Sequence, residues 1–293
     1  MYQRILVCTD FSDGLYRLVD FVPALVAGGV KYIVFFNNVP LETDREIPRV
    51  DTEQIASAKK QLAAALSSVP EGVTVRVEVQ SGRAIDNILK QADAHKAEVI
   101  VLGMPTRTLL SEKVFGSTAV ELSERTSVPL LILRPQLISA YTTEELDLRC
   151  QHLFRYFLIP YDGSEGADYL VGQIRQQAEA RTDRALETCR LCWVIDESVR
   201  RELQAADPVA AAQAKLESVK AELDLPKLSV KTEVRQGVPV EEILKAAEIH
   251  DISAIAVCPG SKGRFFKWSV PSMTQDILRR SWHPVIYFPP KQR

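Results

Sequence analysis

Two stretches of this chain decide its fold, because they repeat one pattern: VRVEVQSGRAIDNILKQADAHKAEVIVLG at residues 75–103 and VKTEVRQGVPVEEILKAAEIHDISAIAVC at residues 230–258. Their separation of 155 residues stays constant over the longer ranges 73–132 and 228–286. A repeat of this length is a duplicated domain rather than a solenoid unit of about 20–50 residues. Each copy must therefore form its own core.

The repeat extends to the start of each half at a slightly different separation. Asp10 and Ser12 recur as Asp162 and Ser164, 152 residues on. About one helical turn was therefore gained between this point and the rest of the repeat. A site found in one copy should be sought in the other, and the differences between the copies carry the functional information.

The bulk composition fits a two-domain globular protein and excludes several classes of function. A length of 293 residues predicts about two domains. The net charge of −2 provides no large positive field for a nucleic-acid backbone. We see neither a signal-peptide pattern nor an apolar stretch long enough to span a bilayer. Five irregularly spaced cysteines favour reduced thiols, so we expect a cytoplasmic protein.

Each half alternates short apolar runs with amphipathic helical spacing, which predicts the α/β class. We expect two tandem Rossmann-like domains, each a five-stranded parallel sheet with helices on both faces. The first domain covers residues 1–135 and the second covers residues 154–293. Residues 136–153 form a linker with a helical turn begun by a Thr cap. Strands are expected at residues 5–8, 32–36, 73–79, 99–102, 130–133, 157–160, 188–194, 228–234, 254–258 and 285–288, and helical spacing runs over residues 15–26, 52–66, 85–92 and 117–126.

Two features of the first half fall beyond the carboxyl ends of strands, where open parallel sheets bind ligands. One is Asp10, directly after the first strand. The other is the segment after the fourth strand, which contains Gly103, Thr106, Gly116, Ser117 and Thr118. Glycines let backbone N–H groups approach an anion, and a helix that opens at Gly116 carries partial positive charge at its N-terminus. This pattern predicts a phosphate site.

The nucleotide fingerprint of the universal stress protein family is Gly-x-x-Gly, then nine residues, then Gly-Ser or Gly-Thr. Gly103, Thr106 and Gly116-Ser117 have this spacing and resemble the fingerprint, and the resemblance to the family covers nearly the whole chain. Asp10 and Asp162 look like the family's Asp after its opening strand. Asn38-Val39 and Trp193-Val194 sit where the family usually has His-Val, which makes Val39 and Val194 candidate contacts. The resemblance implies that ATP or AMP binds in the first half, with Mg²⁺ accompanying ATP, and that the contacts are Asp10, Val39, Gly103, Thr106, Gly116, Ser117 and Thr118.

The chain departs from the fingerprint in both halves. In the first half Thr106 replaces a glycine and follows Pro105, which lacks an N–H group. In the second half the repeat maps the glycines onto Cys258, Ser261 and Pro271. A competing register that starts at Gly260 breaks the strand alignment. We therefore expect the second site to be degenerate, with Asp162, Val194, Cys258, Ser261 and Ser272 as its residues.

Several of these residues also have purely structural interpretations. Asp10 can simply cap the turn or helix that follows it. Cys189 and Cys192 have redox-motif spacing but lie within a predicted strand, where a structural role is favoured. His95 and His250 lie at equivalent helix ends, where a histidine can bond the last carbonyls. Residues 262–268, Lys262 to Trp268, mix basic and aromatic side chains that suit a phosphate, an anionic surface, a protein partner or packing on the sister half.

Two hypotheses about function follow. The first is a stress-response or regulatory protein that binds an adenine nucleotide mainly in its N-terminal domain and acts by occupancy and partner binding, without catalysis. The alternative is a nucleotide-independent interaction scaffold. In both hypotheses the two domains form a pseudo-dimer within the chain, through the last strands near residues 130–133 and 285–288. Pairing of two chains into a homodimer is a further option in both. Neither hypothesis needs a catalytic residue or a protein metal site, and neither names the protein partner.

Overall fold

The computed structural model of the chain describes residues 2–12, 14–42, 48–104, 117–180, 186–196, 207–259 and 273–290. They divide into two compact units, residues 2–151 and residues 152–293. Among these described residues, none of the helices combines the length and the apolar character that crossing a membrane requires.

The first unit is built on five strands: β1 (Arg4–Cys8), β2 (Tyr32–Val39), β3 (Thr74–Ser81), β4 (Val99–Gly103) and β5 (Leu130–Leu133). All neighbours are parallel, in the order β3-β2-β1-β4-β5. Strand β4 is almost wholly buried, because a central parallel strand is covered on both faces, and the four residues of β5 are buried as well. The predicted α/β class and strand sequence are confirmed.

Helices of the first unit connect these strands. The direction of travel across the sheet reverses after β3, so right-handed crossovers put the later helices on the opposite face. Asp51 begins α2 by accepting hydrogen bonds from the backbone N–H groups of Glu53 and Gln54. The helices are α1 (Val22–Ala27), α2 (Thr52–Leu62), α3 (Ala84–Ala94), α4 (Ser117–Arg125), α5 (Pro135–Ala140) and α6 (Thr143–Gln151), with 3₁₀ segments at Leu15–Phe21 and Ala63–Leu66.

The helical spacing over residues 15–26 produces two short helices instead of one. A seven-residue 3₁₀ helix, Leu15–Phe21, precedes α1. Pro23 lies in the first turn of α1, where it lacks an N–H group and would clash with the preceding turn of a continuous α-helix. The break therefore follows from Pro23.

The segment that we expected to be a linker with one helical turn is more ordered than that. Thr142 and Glu145 form a reciprocal capping box at the start of α6: the Thr142 N–H donates to Glu145 (2.9 Å), and the Glu145 N–H donates to the Thr142 hydroxyl (3.3 Å). Leu146 and Cys150 of α6 are buried. Arg17 ties α5 to the 3₁₀ helix through the carbonyls of Ile138 and Tyr141. Residues 135–151 therefore pack as part of the first unit, whereas the predicted domain boundary stays a prediction.

The second unit repeats the same topology. Its strands are β6 (Tyr156–Pro160), β7 (Thr188–Asp196), β8 (Ser229–Gly237), β9 (Ala254–Val257) and β10 (Val285–Tyr287), parallel and in the order β8-β7-β6-β9-β10. Its helices are α7 (Glu165–Glu179), α8 (Pro208–Glu222), α9 (Pro239–Ile249) and α10 (Met273–Arg280). Ser164 caps α7 and Asp207 caps α8.

A network of charged side chains joins β7, β8 and α9 in the second unit. The Glu233 carboxylate contacts Arg190 (3.1 Å), His250 (2.8 Å) and Arg235 (2.6 Å), and Arg235 also donates to Glu242 (2.9 Å). None of the five side chains is more than 23% exposed. Burial alone would raise the pKa of Glu233, but hydrogen bonds and charges from Arg235 and His250 outweigh it, so this pKa is lowered.

The equivalent position in the first unit lacks such a network. Glu78 lies 3.9 Å from His95 and its side chain is 36% exposed. His95 instead bonds the Tyr32 hydroxyl (2.9 Å) and Gln91 (3.0 Å). The expected bonds from the side chains of His95 and His250 to the last helix carbonyls are thus replaced by side-chain partners.

We expect Gly28→Ala to destabilise the first unit by about 1–3 kcal/mol. A Cβ at Gly28 would lie 2.7 Å from the Gln151 carbonyl oxygen, so α6 would have to move away from α1. Gly172→Ala is the control, because a Cβ at that position in α7 meets nothing within 4 Å. It should stabilise the second unit by roughly 0.5–1 kcal/mol. Urea unfolding measures the free energy of unfolding of both variants. A Gly28→Ala variant as stable as the unmodified protein would contradict the close approach of α6 to α1.

We expect Glu233→Gln to lower the free energy of unfolding by about 1–3 kcal/mol near neutral pH, because the half-buried Arg190 loses its anionic partner and Arg235 keeps only Glu242. The pKa of Glu233 is lowered from its ordinary 4.5, so its stabilisation is complete above that value and is lost as the pH falls below it. The difference between the variant and the unmodified protein should therefore shrink in acid.

Denaturant unfolding between neutral and acidic pH measures this difference. The matched control is Glu78→Gln, at the equivalent and more exposed position, which should cost less than about 1 kcal/mol. Equal costs at both positions, or a Glu233→Gln difference that stays constant in acid, would contradict the role of the network.

Candidate functional site

Asp10 lies in a tight turn at the carboxyl end of β1. Its side chain is exposed, and Oδ1 accepts hydrogen bonds from the Ser12 backbone N–H (2.8 Å) and the Ser12 hydroxyl (2.7 Å). Phe11, between them, has a positive φ of 65°. The interpretation of Asp10 as a capping residue of its turn is therefore confirmed. The turn also presents a carboxylate at the edge of the sheet.

Hydrogen bonds anchor this turn to the neighbouring strand. The Thr9 N–H donates to the Phe36 carbonyl (3.0 Å), and the Asn37 side-chain amide donates to the Thr9 carbonyl (2.8 Å). The Thr9 hydroxyl accepts from the Phe11 N–H (3.0 Å). Thr9 and Asn37 are both buried, so Asp10 projects from a rigid support.

The sheet brings Asp10 and Gly103 to one edge. Strands β1 and β4 are parallel, with Cys8 paired to Leu102, so residues that follow them emerge side by side. The crossovers leave β1 and β4 in opposite directions, which makes this the topological switch point of the sheet. The next residue, Met104, donates its N–H to the Leu133 carbonyl (3.0 Å).

The other predicted contacts of the first copy lie partly within and partly outside the described residues. Val39 ends β2, is buried, and accepts a hydrogen bond from the Gly82 N–H (3.2 Å). Ser117 begins α4, and Thr118 in its first turn is partly buried. Thr106 and Gly116 lie outside the described residues.

The second copy forms the same turn after its first strand. Asp162 is exposed, and its Oδ1 accepts from the Ser164 N–H (3.0 Å). Gly163, between them, has a φ of 74°. The Ser164 hydroxyl then accepts from the Ala167 N–H (3.2 Å) and starts α7. The two copies therefore share one backbone turn and one carboxylate position.

The two copies differ at the end of the strand beside this turn. Cys258, which follows β9, corresponds to Gly103. Its thiol donates to the Gly166 carbonyl (2.9 Å) in the first turn of α7, and its carbonyl accepts from the Thr274 hydroxyl (2.7 Å). Burial, together with the nearby charge of Asp162, raises the pKa of the Cys258 thiol to about 12. A neutral sulfur therefore occupies the space between β9 and α7.

The strand register corrects one correspondence expected from the sequence. Cys8 pairs with Phe36 and Pro160 pairs with Cys192, so the residue equivalent to Trp193 is Asn37. The same register aligns Val194 with Asn38, and the equivalence of Val194 with Val39 is wrong by one residue. The separation between the copies is 152 residues at Cys8 and Pro160, 156 at Phe36 and Cys192, and 155 at Gly82 and Gly237.

Trp193 makes the second site aromatic. Its ring centroid lies 5.8 Å from that of Tyr161, and a ring atom lies 3.2 Å from the Cβ position at Gly163. Tyr161 is buried and donates its hydroxyl hydrogen bond to Asp168. In the first copy Asn37 fills this place with an amide. The sequence pattern matched Trp193 with Asn38 instead, and it missed Asn37 because that alignment was displaced by one position.

The two cysteines of β7 lie in surroundings that disfavour the reactive thiolate form. Cys189 and Cys192 are buried, and burial raises the pKa of each thiol to about 12. This confirms their structural interpretation. Within the part of the chain that the structure describes, no three His, Cys, Asp or Glu side chains are grouped so that they could hold a metal ion. Ser261, Ser272 and residues 262–268 lie outside the described residues.

The family model of the universal stress proteins matches the sequence twice, at residues 1–134 and 154–289. The chain belongs to the universal stress protein family and carries two of its domains in tandem. No protein with a curated description matches the chain.

Two solved structures are similar over almost the whole chain. A universal stress protein from Archaeoglobus fulgidus DSM 4304 matches 97% of this chain and 97% of its own, with 18% identity and a TM-score of 0.63. A functionally unknown protein from Pseudomonas aeruginosa PAO1 matches 98% of this chain and 92% of its own, with 13% identity and a TM-score of 0.58. At these identities the likeness concerns the fold.

Proposed function

We propose that this universal stress protein is a regulatory protein that binds an adenine nucleotide, ATP or AMP, in its first domain. The nucleotide lies at the carboxyl edge of β1 and β4 and stabilises one conformation of the protein, which changes the binding of a protein partner. No chemical step is required. When the nucleotide is ATP, Mg²⁺ enters on its phosphate oxygens, as is usual for this ion.

The observation that carries the proposal is the arrangement at the switch point between β1 and β4. Asp10 stands on a turn fixed by hydrogen bonds from Ser12, and Gly103 ends the adjacent strand. A carboxylate that accepts hydrogen bonds suits the donor groups of an adenine or a ribose. A glycine permits the backbone to approach phosphate closely, and the N-terminus of α4 favours negative charge.

The second domain supports the proposal by contrast. It keeps the turn of Asp162 but has Cys258 in place of Gly103, and the Cys258 thiol bonds the Gly166 carbonyl. A side chain at this position takes the space that a phosphate group needs. We therefore propose that the first domain holds the nucleotide and that the second domain does not.

The experiment exchanges this residue between the copies. Thermal unfolding is measured with and without ATP, ADP and AMP, after any ligand carried through purification has been extracted. A nucleotide present at one hundred times its dissociation constant should add about 2.7 kcal/mol to the unmodified protein. Gly103→Cys should lose this shift, because it installs in the first domain the residue of the second.

Cys258→Gly is the matched control and should keep the full shift. The opposite result, with a shift that depends on position 258 and not on position 103, would move the site to the second domain. An unmodified protein that shows no shift with any of the three nucleotides would overturn the proposal and leave the interaction scaffold as the alternative.

A further inference from the structure

The turn after Asp10 contains a backbone conformation that its residue does not favour. Phe11 has a φ of 65°, in the left-handed region where a residue with a Cβ atom is disfavoured. The second copy makes the same turn with Gly163, at a φ of 74°. Glycine meets this requirement without strain, so the fold itself does not call for a phenylalanine here.

Burial does not compensate for the strain. Phe11 is only partly buried and is not one of the core residues, which include Leu15 and Leu18 from the following 3₁₀ helix. A bulky residue in a strained conformation, only partly buried and beside the edge proposed to bind the nucleotide, points to a function for its side chain.

The Phe11 ring pairs with a second aromatic ring. Its centroid lies 6.4 Å from that of Tyr16, with the planes inclined by 47°. Tyr16 is 44% exposed on the 3₁₀ helix. In the second copy the equivalent positions hold Gly163 and Asp168, and the aromatic ring beside the turn is that of Trp193 from the neighbouring strand. A pair of rings from the turn and the helix after it is therefore a feature of the first copy.

We infer that Phe11 and Tyr16 form a stacking platform for the aromatic base of the nucleotide. The inference rests on the proposed function, because the platform is contiguous with Asp10 and needs a ligand at that edge. Stacking uses the π face of the base, so it selects ligands that carry a purine over ligands that carry phosphate alone. It also gives a reason for a phenylalanine, where the second copy has a glycine, at a position with a positive φ in both copies.

The test compares substitutions at Phe11 that keep or remove the π face. Phe11→Tyr keeps the aromatic ring and the strained backbone, whereas Phe11→Leu keeps the strain and apolar character without a ring. Phe11→Gly copies the second domain and relieves the strain. Isothermal titration with ATP should give a dissociation constant within about twofold of the unmodified protein for Phe11→Tyr. It should give one roughly tenfold weaker for Phe11→Leu and Phe11→Gly.

The melting temperature without ligand provides the folding control, and Phe11→Gly should melt no lower than Phe11→Leu. Two results would overturn the platform and leave the proposed function intact: Phe11→Leu binding ATP as tightly as the unmodified protein, or Phe11→Tyr weakening as much as Phe11→Leu. Failure of the unmodified protein to bind ATP, ADP and AMP alike would overturn the proposed function itself.

Discussion

The parallel pairing of β1 with both β2 and β4 is the constraint on which the first domain depends. It places the residues after all three strands at one edge, and it separates the crossovers to the two faces of the sheet. The turn of Asp10 is secured from the β2 side by Asn37. Gly103 approaches the same turn from the β4 side. Without this pairing the candidate ligand groups, which are far apart in the sequence, would not lie at one edge of the sheet.

The duplication provides an internal comparison for each part of the site. The backbone turn after the first strand is the same in both copies, with its Asp, its positive φ and its Ser. The side chains around the turn differ: Gly103 against Cys258, Asn37 against Trp193, and Phe11 against Gly163. The scaffold is therefore common to the copies, and the chemistry at its edge has diverged.

Most of the fold could be predicted from the sequence, because buried parallel strands such as β4 and β9 are continuous apolar runs and the amphipathic α3 and α9 follow the helical period. The details that were missed depend on geometry that periodicity does not carry. Pro23 turns one predicted helix into two, and α5 forms where Arg17 reaches the carbonyls of Ile138 and Tyr141.

The same limit applies to the candidate site. Asp10 and Gly103 could be predicted because they follow apolar strands at a recognisable spacing. The equivalence of Trp193 with Asn37 required the hydrogen-bonded register of β6 and β7. The strained φ of Phe11 and the bond from Cys258 to Gly166 are properties of three-dimensional packing, which residue identity alone does not encode.

The interrupted helix after Asp10 has a consequence for local stability. Short 3₁₀ segments have poorer hydrogen-bond geometry than α-helices, and the break at Pro23 prevents the 3₁₀ helix and α1 from sharing one cooperative ladder of hydrogen bonds. The continuous, Ser-capped α7 of the second copy has no such break. Amide protons of Leu15–Phe21 should therefore exchange with solvent through local unfolding of low free energy. Those of α7 should exchange only through larger unfolding events of higher free energy.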